Sequence, residues 1–298
     1  NAVAANGTCY RKDVRGFLPA LMDKMYQERK HYKKLMIEAQ IEKQKDPSNN
    51  ELDFDIAKYN NFQLVRKIQL NSAYGAIGNE WFRYFDTRMA EAITLSGQLS
   101  IRWIADKLNE FLNTTLETGD YDYVVASDTD SIYLRLGNLV DKTCSGKSTK
   151  EIVDYLDKAS EKIILPFIKK QYDDLAVMMS SYENKMVMER EVIADSGVWT
   201  AKKRYMLNVH NSEGVPYEQP KLKIMGIETT RSSTPQVVRT WLKEAIRMVL
   251  QEDEETIITF VEKIRGEFGE QTPENIAFPR SVNNLKKWKD PASIYVSA

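Results

Sequence analysis

The sequence predicts an α+β fold, on three observations. Two long helical patterns separated by a short polar break come first. Short β patterns with turn residues between them follow, and amphipathic helices come last. Helical hairpin, mixed sheet and closing helices in that order are the arrangement of an α+β chain.

Residues 17–45 carry Leu18, Leu21, Met22, Met25, Leu35, Met36 and Ile41 at helical spacing. Asp46-Pro47-Ser48-Asn49-Asn50 breaks the pattern, and a second helix is expected from about Asp55 to Asn71, antiparallel to the first. A strong helix is predicted over 87–113, where Ala90, Ile93, Leu99, Ile104, Leu108 and Leu112 recur. Tyr123-Val124-Val125-Ala126 and Ser131-Ile132-Tyr133-Leu134 then read as a β-hairpin. Residues 150–180 return to helix. Strands are expected over 185–194, 199–209 and 219–228, with Asn211-Ser212-Glu213-Gly214 as a turn. Thr234-Pro235 predicts a helix start with Thr as cap and Pro at the first helical position. Two amphipathic helices follow to about Phe268, and residues 270–298 read as an irregular tail without a core of its own.

Composition narrows the chemistry. The 298 residues are 42% hydrophobic and 29% charged, an ordinary globular balance. No apolar run approaches the roughly 18 residues of a membrane span. The first residue is Asn1 rather than Met, as an internal fragment or a processed chain would show. With two histidines, His31 and His210, a His-based triad or a His-rich zinc site is disfavoured. Cys9 and Cys144 read as free thiols. Carboxylates, lysines and arginines are left to carry any chemistry. The net charge of -1 is not that of a purely electrostatic nucleic-acid binder. Screening confines charge effects to about 10 Å, so the local Lys/Arg clusters at 24–34 and 202–223 matter more.

Asp128-Thr129-Asp130-Ser131 follows an apolar strand. Residues i and i+2 of a strand face one side, so Asp128 and Asp130 are a candidate hard-oxygen site for Mg²⁺. An Asp-rich turn and the metal pair of a sugar-nucleotide glycosyltransferase fit the same four residues. Lys67, Asn71, Tyr74 and Gly75 share one helical face, with a cation for phosphate, a ring for sugar or base, and a glycine for close approach. Arg29 and Lys33 are four residues apart on the facing helix. Both Lys33 and Lys67 lie roughly 20 Å from the hairpin break, so the three cations can converge where a triphosphate would relieve their repulsion. A solvated basic face is the alternative. Lys202, Lys203, Arg204 and Tyr205 open one strand, and Lys221 and Lys223 share a face of the next. Cations with an aromatic suit a phosphate backbone, as they also suit a sheet edge guarded against aggregation. Glu189 and Glu191 would share a strand face, with Glu191 a further candidate metal ligand.

Taken together, these motifs resemble family B DNA polymerases, most closely the replicative polymerases of T-even-like bacteriophages. Lys67-x-x-x-Asn71-Ser72-x-Tyr74-Gly75 is similar to the family's fingers motif, Asp128-Thr129-Asp130-Ser131 to its palm metal motif, and Lys202-Lys203-Arg204-Tyr205 to its primer-template motif. Asn79-x-Trp81-Phe82-Arg83-Tyr84 and Lys221-Leu222-Lys223-Ile224-Met225-Gly226 look like the phage subgroup.

The resemblance implies a palm with a mixed or antiparallel sheet, helical-hairpin fingers and a helical partial thumb. It divides the chain into a segment leading into the palm (1–16), fingers (17–78), palm (79–230) and partial thumb (231–298). The implied activity is template-directed transfer of a deoxynucleotide to a primer 3′-hydroxyl by two Mg²⁺ ions, with Mn²⁺ as substitute. Arg29, Lys33 and Lys67 would grip the triphosphate, with Asn71 nearby and Tyr74 against the nascent base pair. Lys67 would also protonate the leaving pyrophosphate. Asp130 would ligate both metals with Asp128 behind it and Glu191 beside them. Lys202, Lys203, Arg204, Tyr205, Lys221 and Lys223 would hold primer-template DNA. A phage-encoded chain acting in the cytoplasm of a bacterial host is implied, with a sliding clamp as a candidate partner.

The sequence also departs from that pattern. The family's Ser-Leu-Tyr-Pro-Ser segment with its metal-binding Asp is not found, so a missing N-terminal part, on a separate chain or an upstream segment, is expected to carry it. Without that part the polymerase is expected to be inactive; the alternative is a catalytically incomplete DNA- and nucleotide-binding module. Ser127 stands where the family has Gly, the fingers linker is short, no exonuclease carboxylate motif is present, and the thumb segment stops at Ala298.

Overall fold

The computed structural model describes residues 1–280. The expected α+β class is what it shows: nine α-helices and seven strands among the described residues. A short hairpin of β1 (Ala2–Val3) and β2 (Cys9–Tyr10) precedes α1 (Phe17–Lys45) and α2 (Asn50–Ile77). Then come α3 (Thr87–Leu116), β3 (Val124–Asp128), β4 (Ser131–Leu134), α4 (Gly137–Thr143), α5 (Thr149–Ala159) and α6 (Leu165–Met178). Strands β5 (Val192–Ala201), β6 (Arg204–Ser212) and β7 (Val215–Met225) form a three-stranded sheet in sequence order. Helices α7 (Gln236–Gln251), α8 (Glu254–Gly269) and the short α9 (Pro273–Ile276) follow. The tail expected over 270–298 holds α9 in its first part, and its residues 281–298 lie outside the described residues.

The chain divides into two compact units. The first comprises residues 1–193 and 211–216; the second comprises 194–210 and 217 onward. In the first unit, α1 and α2 form the antiparallel hairpin. Helix α2 is longer than its apolar pattern suggested because Asn49 caps it, accepting from the Glu51 amide, with Glu51 and Asp53 favourably placed in the first turn. The core is built by Ile104 and Leu108 of α3 with Ile168, Tyr172 and Leu175 of α6. Ile132 and Leu134 of β4 pack on it, so the β3–β4 hairpin stands on a rigid helical base. Phe111 and Phe167 stack across the same two helices at 4.3 Å. Residues 150–180 are helical as expected, but a π-helical turn, Ser160–Ile164, separates α5 from α6. Pro166, which cannot donate to the helical ladder, sits in the first turn of α6 and accounts for the wider turn before it.

Four expected boundaries change. Residues 185–191 form no strand, because side chains tie this segment to helices instead. Asn184 donates to Asp173 of α6, and Arg190 pairs with Asp157 of α5. Glu189 and Glu191 therefore do not share a strand face. The strand expected over 199–209 is split at Lys202-Lys203, where Lys203 takes a left-handed φ of 62°. The strand expected over 219–228 begins earlier, at Val215, and ends at Met225, because Gly226 turns the chain at φ 68°. Pro235 is the cap residue of α7 rather than its first helical residue, with extended backbone and no side-chain capping bond, and Thr234 is buried.

Candidate functional site

The carboxylate pair sits on the β3–β4 hairpin. Asp128 pairs with Ser131 in register, which leaves Thr129 and Asp130 as a two-residue turn. Asp130 therefore does not continue the strand, and the expected i, i+2 alternation does not place its carboxylate. The turn itself places it. The Asp130 amide donates to the Asp128 carbonyl at 2.6 Å, and the Ser131 hydroxyl donates to the same carbonyl at 3.1 Å. Thr129 donates to Asp128 Oδ1 at 2.9 Å and adopts φ 56°, a left-handed conformation that costs a β-branched residue about 1–3 kcal/mol. Asp128 is half-buried and Asp130 exposed. Tyr172 stands buried in the core beneath. Burial pushes its phenol up to about 12, and the nearby charge of Asp130 adds to the rise. Two hard carboxylates at a fixed turn fit part of a Mg²⁺ shell. Among the described residues no three His, Cys, Asp or Glu side chains gather to hold a metal, so Glu191 does not complete a cluster with Asp128 and Asp130.

Three contacts set the register of the helical hairpin. Lys43 pairs with Asp53 at 2.8 Å near the break, the Tyr32 and Phe62 rings meet at 5.0 Å, and Arg66 pairs with Glu28 at 3.1 Å. Arg29 follows Glu28 and Lys67 follows Arg66, so the two stand at one level, as expected of antiparallel helices. Lys67, Asn71, Tyr74 and Gly75 are all exposed, and the space beside Gly75 is open. Among the described residues, Arg29 Nε is buried without a hydrogen-bond partner. Lys33, one turn nearer the break, is engaged by carboxylates: Glu213 at 2.8 Å and Glu189 at 3.5 Å. Burial alone would lower the Lys33 pKa, but the hydrogen bond and charge of Glu213, with Glu189, raise it.

In the second unit, Lys202 and Lys203 form the β5–β6 turn and are exposed. Arg204 and Tyr205 face different surroundings. Arg204 donates twice to Glu228, at 2.8 and 2.6 Å. Tyr205 is buried with its ring 6.1 Å from Trp199. Four residues read from sequence as one DNA-facing group are thus two exposed lysines on a turn, with an arginine and a tyrosine bracing it. Gly226 is part of the brace, because a side chain there would collide with the Lys203 carbonyl. On β7, Lys221 is exposed with its ammonium 4.0 Å from the Tyr217 ring centre, and Lys223 is half-buried.

Sequence reasoning gave no role to Glu228 or Tyr172, read Glu213 only as a turn residue, and read Gly226 only as part of the Lys221–Gly226 motif. Glu213, Glu228 and Tyr172 matter through partners distant in the chain.

The family model for DNA polymerase family B matches residues 3–285. The chain belongs to DNA polymerase family B. It is 36% identical over 333 residues to a DNA-directed DNA polymerase of Escherichia phage RB69, an alignment covering 95% of this chain and 37% of the relative. To a DNA-directed DNA polymerase of Enterobacteria phage T4 it is 40% identical over 241 residues, covering 78% of this chain and 27% of the relative. A DNA polymerase of Paramecium bursaria Chlorella virus NY2A is 26% identical over 273 residues. The chain thus spans 37% and 27% of the length of these two phage relatives.

Proposed function

We propose that this chain supplies the nucleotide grip, the metal-holding carboxylates and the primer-template contacts of a DNA-directed DNA polymerase. One observation carries the reading. In a chain of this family, Arg29 and Lys67 stand level on the helical hairpin, with Asn71 and Tyr74 continuing the exposed face of Lys67. In this reading residues 17–78 are fingers, 79–230 palm and 231–298 partial thumb, with 1–16 leading into the palm.

The oxygen of a primer 3′-hydroxyl loses its proton to water and forms a bond to the α-phosphorus of a deoxynucleoside triphosphate, and the bond from that phosphorus to pyrophosphate breaks. Arg29, Lys33 and Lys67 bind the triphosphate and spread its charge over three cations. Lys67 gives a proton to the departing pyrophosphate oxygen. Tyr74 packs by the nascent base pair and Gly75 lets it approach. Asp130 and Asp128 would hold Mg²⁺, or Mn²⁺ in its place, which would supply a lower cost of ionising the hydroxyl and of charge on the phosphate oxygens. Lys202, Lys203, Lys221 and Lys223 grip the duplex backbone, on a turn that Arg204 and Tyr205 brace. A further carboxylate comes from the remaining part of the polymerase, which makes that part a required partner; a sliding clamp is a second candidate partner. No described helix is long and apolar enough to cross a membrane, and the phage relatives favour work in a bacterial host cell.

Triphosphate binding by Arg29→Ala, Lys33→Ala and Lys67→Ala variants tests the grip. Each should weaken dATP binding by about 1–3 kcal/mol, the range for charge-assisted hydrogen bonds. Unchanged affinity in all three would remove the basis of this reading.

A further inference from the structure

Glu213 occupies a place where glutamate is a poor choice. Glu213 and Gly214 form the two-residue turn between β6 and β7, with φ of 52° and 87°. A turn with both φ values positive favours Asn-Gly, Asp-Gly or Gly-Gly. Glutamate gains nothing there from local backbone bonding, and a left-handed φ is uncommon outside Gly, Asn and Asp.

The carboxylate supplies the missing reason. Glu213 Oε1 lies 2.8 Å from Lys33 Nζ on α1, and Glu189 reaches the same ammonium at 3.5 Å. Three turns further along α1, Gln44 donates to the Pro216 carbonyl at 3.1 Å. Lys33 and Gln44 are eleven residues apart, so they lie on one helical face. The turn therefore runs along α1 and holds it at two points. Its other side is fixed. The Glu213 amide donates to the Glu191 carbonyl at 2.7 Å, and the Asn211 side chain accepts from Arg190 at 2.7 Å. Arg190 in turn pairs with Asp157 of α5. A chain of polar contacts thus runs from α5 through the turn to the middle of the α1–α2 hairpin.

We propose that the 211–216 turn is a latch on α1, in which Glu213 acts as an internal anion that holds Lys33 until a triphosphate displaces it. This rests on the reading of Arg29, Lys33 and Lys67 as a triphosphate grip. Lys33 cannot serve Glu213 and a polyphosphate at full strength together, because the two anions would repel across one ammonium. A triphosphate, with several charges and with Arg29 and Lys67 as further partners, outcompetes one partly exposed carboxylate. On displacement the strained turn loses the contact that favours it, and α1 is freed from its tie to α5. The latch keeps the cation positioned, and the nucleotide itself releases the helices that must move around it.

The test is calorimetric titration of the full 298-residue chain with dATP and Mg²⁺. Glu213→Gln keeps the side-chain shape and removes the charge. It should bind dATP about 2- to 5-fold more tightly, the range set by a partly exposed ion pair. Glu213→Asn should do the same while suiting the turn better, so its thermal stability should be retained or raised. In a Lys33→Ala background, Glu213→Gln should add nothing. Unchanged or weaker dATP binding by both Glu213 variants would overturn the latch while leaving the grip in place. Failure of the parent chain to bind dATP, or binding indifferent to Lys33→Ala, would overturn the grip and the latch with it.

Discussion

The carbonyl of Lys203 occupies the space that a Cβ on Gly226 would need. Both residues are left-handed, at φ 62° and 68°, and the exposed lysine turn rests directly on the glycine backbone. Gly226→Ala should therefore act twice, through backbone strain and through displacement of the turn. Thermal unfolding should show a loss of about 2 kcal/mol or more. Fluorescence anisotropy should show weaker binding of primer-template DNA. Glu228→Gln, which weakens a partly exposed ion pair with Arg204, should cost clearly less. Equal effects of the two substitutions would mean that the glycine is not the turn's main support.

Metal affinity should depend on Asp130 more than on Asp128. Asp130 is exposed at the turn, whereas Asp128 is half-buried and already accepts from Thr129. Titration of the parent chain, Asp130→Asn and Asp128→Asn with Mn²⁺ gives the order. Unchanged affinity in Asp130→Asn would show that the turn is not the metal site.

Tyr172 gives the chain an alkaline limit. Its folded pKa, about 12, stands above the unfolded value near 10. The proton is held more tightly in the folded state, so this stabilisation is complete below pH 10 and is lost as pH rises through 12. Two units correspond to roughly 2–3 kcal/mol. In metal-free buffer, denaturant midpoints should fall over that window and fall less in Tyr172→Phe. Parallel pH profiles for the two proteins would contradict the assignment.

Helix α1 was legible to the residue, and the β3–β4 hairpin nearly so, because periodicity and the Asp46-Pro47 break are local signals. Strand ends in the three-stranded sheet were not, because they depend on two left-handed residues, Lys203 and Gly226, of which only the glycine hints at its conformation. The candidate site was legible as residue types. Glycine, lysine and aspartate patterns name chemistry, but they do not say which cation is already taken. That Lys33 is held by Glu213, and Arg204 by Glu228, follows from contacts between distant segments. Equally, no periodic pattern distinguishes a strand over 185–191 from a segment pinned by Arg190 and Asn184.

In the proposed function this chain holds the grip and part of the metal site, and needs a carboxylate from the rest of the polymerase. A two-metal reaction needs ligands that fix both ions, and misplacement of the reacting atoms by about 1 Å can cost about 100-fold in rate. Primer extension by the purified chain, alone and mixed with a polypeptide covering the preceding part of the polymerase, measures this directly. No template-directed synthesis is expected of the chain alone, synthesis is expected in the mixture, and that synthesis should be lost in Asp130→Asn. Robust extension by the 298-residue chain alone would contradict it.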